Sequence, residues 1–126
     1  MVEFLKRSVV FMIKKPENYK IDLREKMRDG NGTVKIENFV SAAELNDKGR
    51  LFGKIILEPG CSIGYHVHEK DAELFYILKG TADYTDGDKV VTVTAGDTTI
   101  CPTGTGHGIA NNGAETVELV ALIVYE

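Results

Sequence analysis

The chain contains three histidines, and their spacing fits one metal ion. His66 and His68 are two residues apart, Glu73 follows shortly after, and His107 returns from a separate segment. Side chains alternate faces along a strand, so His66 and His68 present both imidazoles to one side while Val67 points to the other. Three neutral imidazoles and one carboxylate suit a divalent first-row transition ion (manganese, iron, cobalt, nickel, copper or zinc). Calcium and magnesium prefer oxygen shells and fit this donor set poorly. A divalent ion so held leaves a site charge of about +1, and octahedral geometry would leave positions open for water or substrate. The ligand expected there is a small, anionic, oxygen-rich molecule.

The same parity sorts the neighbours. Glu73 is read as opening the strand that follows the loop Glu69-Lys70-Asp71-Ala72, with a hairpin bringing its carboxylate beside His66 and His68. Glu69 has the opposite parity to His68, and Asp71 sits in the loop, so both are weaker ligand candidates than Glu73. If Glu73 points inward, Phe75 and Ile77 do too, and Ile109 follows His107; these three are the candidate substrate-pocket wall. Tyr76 and Tyr65 then face away. With every histidine assigned to metal, none is left as a general base. Tyr65, Tyr84, Lys54 and Glu58 remain as candidates, none clearly inward. Arg28 and Arg50 fall in flanking turn regions, where either could clamp a substrate carboxylate from the rim or be solvated surface charge.

Positioning these groups requires strands. Turn signals recur at short intervals, among them Asp29-Gly30-Asn31-Gly32, Asp47-Lys48-Gly49, Pro59-Gly60 and Asn111-Asn112-Gly113. Short apolar or β-branched runs such as Leu51–Leu57, Leu74–Leu78, Val90–Thr94 and Val117–Val124 lie between turns, a pattern of all-β sandwiches and barrels. Asp86-Gly87 between Thr81–Thr85 and Lys89–Thr94 signals a tight hairpin. Ser41-Ala42-Ala43-Glu44 has the form of a capping box and predicts one short helix ending before Asn46.

From Gly60 the chain reads G-(x)5-H-x-H-(x)4-E-(x)6-G, ending at Gly80; from Gly96 it reads G-(x)5-P-x-G-(x)2-H-(x)3-N, ending at Asn111. At all ten fixed positions these two stretches resemble the paired motifs of the cupin family. The resemblance implies a jelly-roll barrel, the cupin double-stranded β-helix, in a small single-domain form. It also implies His66, His68, Glu73 and His107 as metal ligands. Small cupins include dioxygenases, isomerases, lyases, oxalate-handling enzymes and proteins that bind a small molecule without turnover. Oxalate-decarboxylating relatives usually carry two such domains, and thiol dioxygenase relatives typically depart at the glutamate, which this chain keeps as Glu73. Relatives are frequently dimers.

At 126 residues the chain suits a single domain, read as an N-terminal strand or arm over 1–32 and a barrel core over 33–126. The apolar run Val9–Ile13 could add a strand to a neighbour's sheet edge, making a homodimer, and Met12 could be the natural start. A hydrophobic fraction of 43%, a charged fraction of 27% and a net charge of -4, with scattered basic residues, argue against nucleic acid or an anionic membrane as partner. Lys6 and Arg7 interrupt the N-terminal apolar stretch, so no secretory signal is read and a cytoplasmic location is the default. Cys61 and Cys101 match no zinc spacing and are expected to be reduced, small and buried. The leading expectation is a metal-dependent enzyme acting on a carboxylate, keto acid or enediol, with oxygenase, lyase and isomerase chemistry all open. The alternative is a non-catalytic binding or sensing protein with a metal-held ligand.

Overall fold

Between its turns the chain alternates polar and apolar residues with period two, and strands form where it does. The structure, a computed structural model, describes residues 13–126. Its ten strands are β1 (Lys20–Glu25), β2 (Thr33–Asn38), β3 (Gly49–Leu57), β4 (Ser62–Val67), β5 (Asp71–Lys79), β6 (Thr81–Asp86), β7 (Lys89–Thr94), β8 (Thr98–Cys101), β9 (Gly106–Ala110) and β10 (Val117–Tyr125). They make one six-stranded sheet, ordered β1-β2-β3-β10-β5-β8, and one four-stranded sheet, ordered β4-β9-β6-β7, with every pairing antiparallel. This is the jelly-roll architecture expected of the sequence.

The inner faces of the two sheets share one core. Ile55, Leu57, Ile77 and Leu119 come from the larger sheet, and Ile63 and Ile109 from the smaller. Along β10 burial alternates strictly, with Val117, Leu119, Ala121 and Ile123 inward. Each Val, Leu or Ile side chain fully buried in this way contributes about 1.5–3 kcal/mol.

The local signals hold with small shifts. The β6–β7 hairpin closes on the pair Asp86↔Lys89, so the turn residues are Gly87-Asp88, one place later than the Asp86-Gly87 expectation. Gly87 takes φ 63° at the first central position, where a two-residue hairpin turn favours glycine. The capping box forms: Glu44 N–H donates to Ser41 Oγ (3.2 Å) and Ser41 N–H to Glu44 Oε1 (2.9 Å). It opens a single 3-10 turn, Ala43–Leu45, that stops at left-handed Asn46. Two further 3-10 turns, Pro16–Asn18 and Met27–Asp29, flank β1.

Within the segment read as an N-terminal strand or arm, residues 20–25 form a strand. β1 pairs with β2 at all six positions from Lys20↔Asn38 to Glu25↔Thr33. The strand-exchange expectation for Val9–Ile13 and the start at Met12 fall outside the described residues, except for Ile13, which is exposed. Among the described residues no helix is long and apolar enough to cross a membrane.

Asn111, fully buried, pins the end of β9 to β3 and to the loop before β10. Its Nδ2 donates to the carbonyls of Leu57 (2.8 Å) and Glu115 (2.7 Å), and its Oδ1 accepts from Gly113 N–H (3.0 Å). Asn111→Ala is expected to cost about 2–3 kcal/mol, because it strands a buried carbonyl as well as losing bonds. Asn111→Asp should cost a similar amount, since a carboxylate cannot donate. Urea unfolding at constant m-value measures both.

Candidate metal centre

The structure brings His66, His68, Glu73 and His107 together, with one donor atom from each lying within 4.8 Å of all the others. The route differs from the sequence expectation. His66 is on β4 and His68 just beyond it, in the four-stranded sheet, whereas Glu73 is on β5 in the six-stranded sheet. No hairpin joins them: the chain crosses from one sheet to the other, and the carboxylate meets the imidazoles across the barrel interior. The separate segment that carries His107 is an immediate neighbour. His107 lies on β9, hydrogen-bonded alongside β4, directly opposite His66.

A bulge aims this cluster. Between the pairs Ile63↔Ile109 and His66↔His107, Gly64 and Tyr65 on β4 oppose Gly108 alone on β9. Ile63 and His66 are three apart, yet both turn inward, while Tyr65 is 51% exposed. An extra residue of this kind locally resets the alternation and re-aims the side chain after it.

The second nitrogen of every imidazole is engaged. His66 Nδ1 donates to the Gly64 carbonyl (2.8 Å), and His68 Nδ1 donates to Asp71 Oδ1 (2.7 Å). His107 Nδ1 lies 2.7 Å from the Tyr84 hydroxyl. A carbonyl and a carboxylate only accept, so Nδ1 carries the proton in His66 and His68, and their Nε2 lone pairs face the centre. His68 Nε2 lies 3.0 Å from Glu73 Oε1 and 3.2 Å from His107 Nε2, His107 Nε2 is 2.9 Å from the same oxygen, and His66 Nε2 is 3.9 Å from it. Electron-rich atoms converge here, and the closest lie about 3 Å apart, as neighbouring donors do around an ion with bonds of ~2.1 Å. The donor set therefore fits a divalent transition ion. An imidazole that takes up a second proton can donate it from Nε2 to the Glu73 carboxylate. Glu73 accepting a hydrogen bond raises His68 above the ordinary histidine value, with burial opposing and Asp71 assisting. Burial would raise Glu73, but hydrogen bonds from His107 and His68, with the His66 imidazole close by, outweigh it and hold the carboxyl well below the usual range.

Three supporting residues correct the sequence reading. Asp71 is not in a loop but is the first residue of β5, paired with Tyr125. It orients His68 rather than reaching the centre, and Arg50 Nε donates to its other oxygen at 2.8 Å. Burial opposes its ionisation, but Arg50 and then His68 hold its carboxyl below the ordinary value. Arg50 itself belongs to β3, not to a turn. Tyr84 is inward and 5% exposed, and burial pushes its phenol up to about 12 with only partial relief from Thr99, so it is a neutral hydrogen-bonding partner at neutral pH rather than a base. The apolar alternation of Ala82 and Tyr84 against Thr81, Asp83 and Thr85 carried that signal. Lys54 is tied to Glu37 and Glu118, and Glu58 accepts from Thr116, both away from the cluster. Glu69 is exposed. Cys61 and Cys101 form no disulfide, and burial raises the Cys101 thiol.

Asp71→Asn removes the charge that fixes the His68 tautomer and is expected to weaken metal binding about 10–100-fold without unfolding the chain. Competition against a chelating dye measures it, and an unchanged affinity would show that Asp71 serves Arg50 alone.

A cavity of about 370 Å³ opens beside the cluster. His66, His68 and Glu73 line it, with Ile36, Ile55 and Ile63 as apolar wall. Phe75, Ile77 and Ile109 point inward as parity requires, but they are core residues behind the cluster and are not among those lining this cavity. Phe75 stacks on the His107 ring, with centroids 5.0 Å apart and planes at 20°. Arg28 and Arg50 both line the cavity.

Comparison with known proteins agrees with this architecture. Residues 53–125 match the sequence model of the cupin domain family. The oxalate-binding protein of Thermotoga maritima is 38% identical over 98 residues, covering 78% of this chain and 81% of that protein. The xanthan biosynthesis protein XanB of Xanthomonas campestris is 33% identical over 76 residues, which cover 59% of this chain but only 16% of that much longer protein. Among solved structures, a predicted oxalate decarboxylase from Thermotoga maritima superposes with a TM-score of 0.87 at 33% identity, covering 91% of this chain and 100% of that one.

Proposed function

The chain belongs to the cupin family, and from that premise we propose that it holds one divalent first-row transition ion on His66, His68, Glu73 and His107 and uses it to take a small oxygen-rich anion. The observation that carries this reading is the convergence of the four donors, with His66 and His68 turned by their Nδ1 partners to face Nε2 inward. The ion, when bound, supplies Lewis acidity to a carboxylate, keto acid or enediol that meets it through two oxygens. The chain's own contributions are a dry wall of Ile36, Ile55 and Ile63, which strengthens electrostatics at the centre, and a cationic rim that attracts the anion. The Thermotoga relative named for oxalate binding supports an anion of this chemistry.

We test this by elemental analysis of protein purified without added metal and again after equilibration with each ion. A panel of oxalate, other carboxylates and diols follows, under air and under argon. About one ion per chain and saturable anion binding are expected. A protein that takes up none of the ions overturns the reading.

Within the proposal an enzyme is the first reading and a binder without turnover the second. The binder is favoured by the shortage of a free acid or base: Tyr84 is engaged by His107, Asp71 by His68 and Arg50, and among the described residues the only carboxylate lining the cavity apart from Glu73 is Asp22. Product formed in the panel selects the enzyme, and oxygen uptake by iron-loaded protein selects an oxygenase. Tight binding without product selects the binder. We further propose that a second copy of the chain covers the outer face of the six-stranded sheet, where Tyr76, Leu78 and Ile100 stand 46%, 44% and 65% exposed. Light scattering on the intact chain reads this directly, and a monomer at high concentration rules it out.

A further inference from the structure

The cavity beside the cluster carries more positive charge than one small anion needs. Lys14, Lys20, Arg24, Arg28 and Arg50 line it, against the carboxylates of Asp22 and Glu73, in a chain whose net charge is -4. Some of these cations are spoken for: Lys14 bonds Glu44 at 2.6 Å and Arg50 bonds Asp71 at 2.8 Å. Arg24 and Arg28 form no ion pair among the described residues.

β1 shows the same bias in its orientation. Lys20, Asp22 and Arg24, at alternate positions, line the cavity, while Ile21 and Leu23 face solvent at 45% and 67% exposure. That reverses the arrangement burial alone would choose, in which apolar residues turn inward. Asn38, on β2, steadies the strand by donating to the Lys20 carbonyl (2.9 Å) and to Asp22 Oδ2 (3.0 Å). Inward charge can also protect a sheet edge from pairing, so the orientation has a structural explanation to be tested against.

Arg28 is placed by a different device. It sits at φ 55° between Met27 and Asp29, with Lys26 and Asp29 also left-handed at φ 49° and 64°. This costly turn is docked on β4, where the Arg28 carbonyl fills the space a side chain at Gly64 would occupy. Gly64 is also the residue whose carbonyl holds His66. The turn that carries Arg28 is thus latched to the strand that carries a candidate metal ligand.

Size points the same way. At ~30 Å³ per water, about 370 Å³ holds about a dozen water-sized volumes, several times what a two-carbon dianion displaces. We propose that the cavity selects a chelating dicarboxylate longer than oxalate, a 2-hydroxy or 2-oxo diacid of about four to six carbons, with its near end at the metal centre and its far carboxylate held by Arg24 and Arg28. This rests on the reading of the cluster as a metal centre for oxygen-rich anions.

The test uses the intact, metal-loaded chain, with metal content measured first. Calorimetry then compares oxalate, 2-hydroxybutanedioate, 2-hydroxypentanedioate and 2-hydroxyhexanedioate with 2-hydroxypentanoate, which has the chelating end but no far carboxylate. The preferred diacid should bind about 10–100-fold more tightly than the monoacid and more tightly than oxalate. In Arg24→Gln and Arg28→Gln, singly and together, that ratio should fall toward one while the metal content stays at the wild-type value. Equal affinity for diacid and monoacid, or a diacid preference that survives the double substitution, overturns the proposal and leaves β1 as a protected edge. Failure to load metal overturns the underlying reading as well, and the metal measurement separates the two outcomes.

Discussion

Glu73→Gln is expected to abolish the stabilisation that metal gives this chain while leaving the fold intact. An ion that binds only the folded state at 100 times its dissociation constant adds about 2.7 kcal/mol, or a rise in Tm of roughly 10 °C for a domain of this size. Glutamine keeps the volume of Glu73 but removes the only negative charge among the four donors. Loss of a supporting carboxylate typically costs 10–100-fold in affinity, so loss of a charged ligand should cost more than about 100-fold. At the same metal concentration the remaining stabilisation is then about 0.4 kcal/mol, a shift of one or two degrees. Thermal melts with and without added metal, on both proteins, give the comparison. A full metal shift in Glu73→Gln would show that the carboxylate is not a ligand and return Asp71 to candidacy.

The strength of that prediction reflects how well strand parity carried the site. His66, His68 and Glu73 each fall on an inward position, and parity is a short-range property that a sequence states directly. Where it failed, the cause was a long-range or irregular feature. Ile63 and His66 are out of phase by simple alternation and in phase in the structure, because the bulge at Gly64-Tyr65 inserts a residue opposite Gly108. The nearness of His68 and Glu73 in sequence suggests a hairpin, whereas the chain changes sheets between them; spacing alone does not separate these routes. Asp71 reads as a loop residue because Glu69 and Lys70 are polar, yet its pairing with Tyr125 at the end of β10 extends β5 back to include it. The cavity was the least legible feature. Its cations come from β1, β3, the Met27–Asp29 turn and Lys14 ahead of β1, and the alternation of Lys20–Arg24 does not state that β1 turns its charged rather than its apolar face to the cavity.

Gly64→Ala should be among the most damaging single-methyl additions this chain can receive. The new Cβ would land on the Arg28 carbonyl oxygen and lie 2.9 Å from the Arg28 carbonyl carbon and 3.1 Å from Gly30 N. All three atoms are backbone, so no rotamer change makes room; either the Met27–Asp29 turn lifts or β4 moves. Overpacking of this kind costs about 1–3 kcal/mol, and the upper end is expected here, a fall in Tm of roughly 12 °C. Gly60→Ala supplies the contrast. Nothing lies within 4 Å of its Cβ, but its φ of 87° penalises any side chain, so about 1–2 kcal/mol is expected from backbone strain alone. The two glycines also differ in what they should do to the centre. Moving β4 displaces the Gly64 carbonyl that holds His66 Nδ1, so Gly64→Ala should weaken metal binding about tenfold beyond its effect on folding, whereas Gly60→Ala should keep the full metal-induced shift. A Gly64→Ala protein as stable and as metal-responsive as wild type would show that the Arg28 turn is not latched to β4. The placement of Arg28 at the cavity would then need another cause.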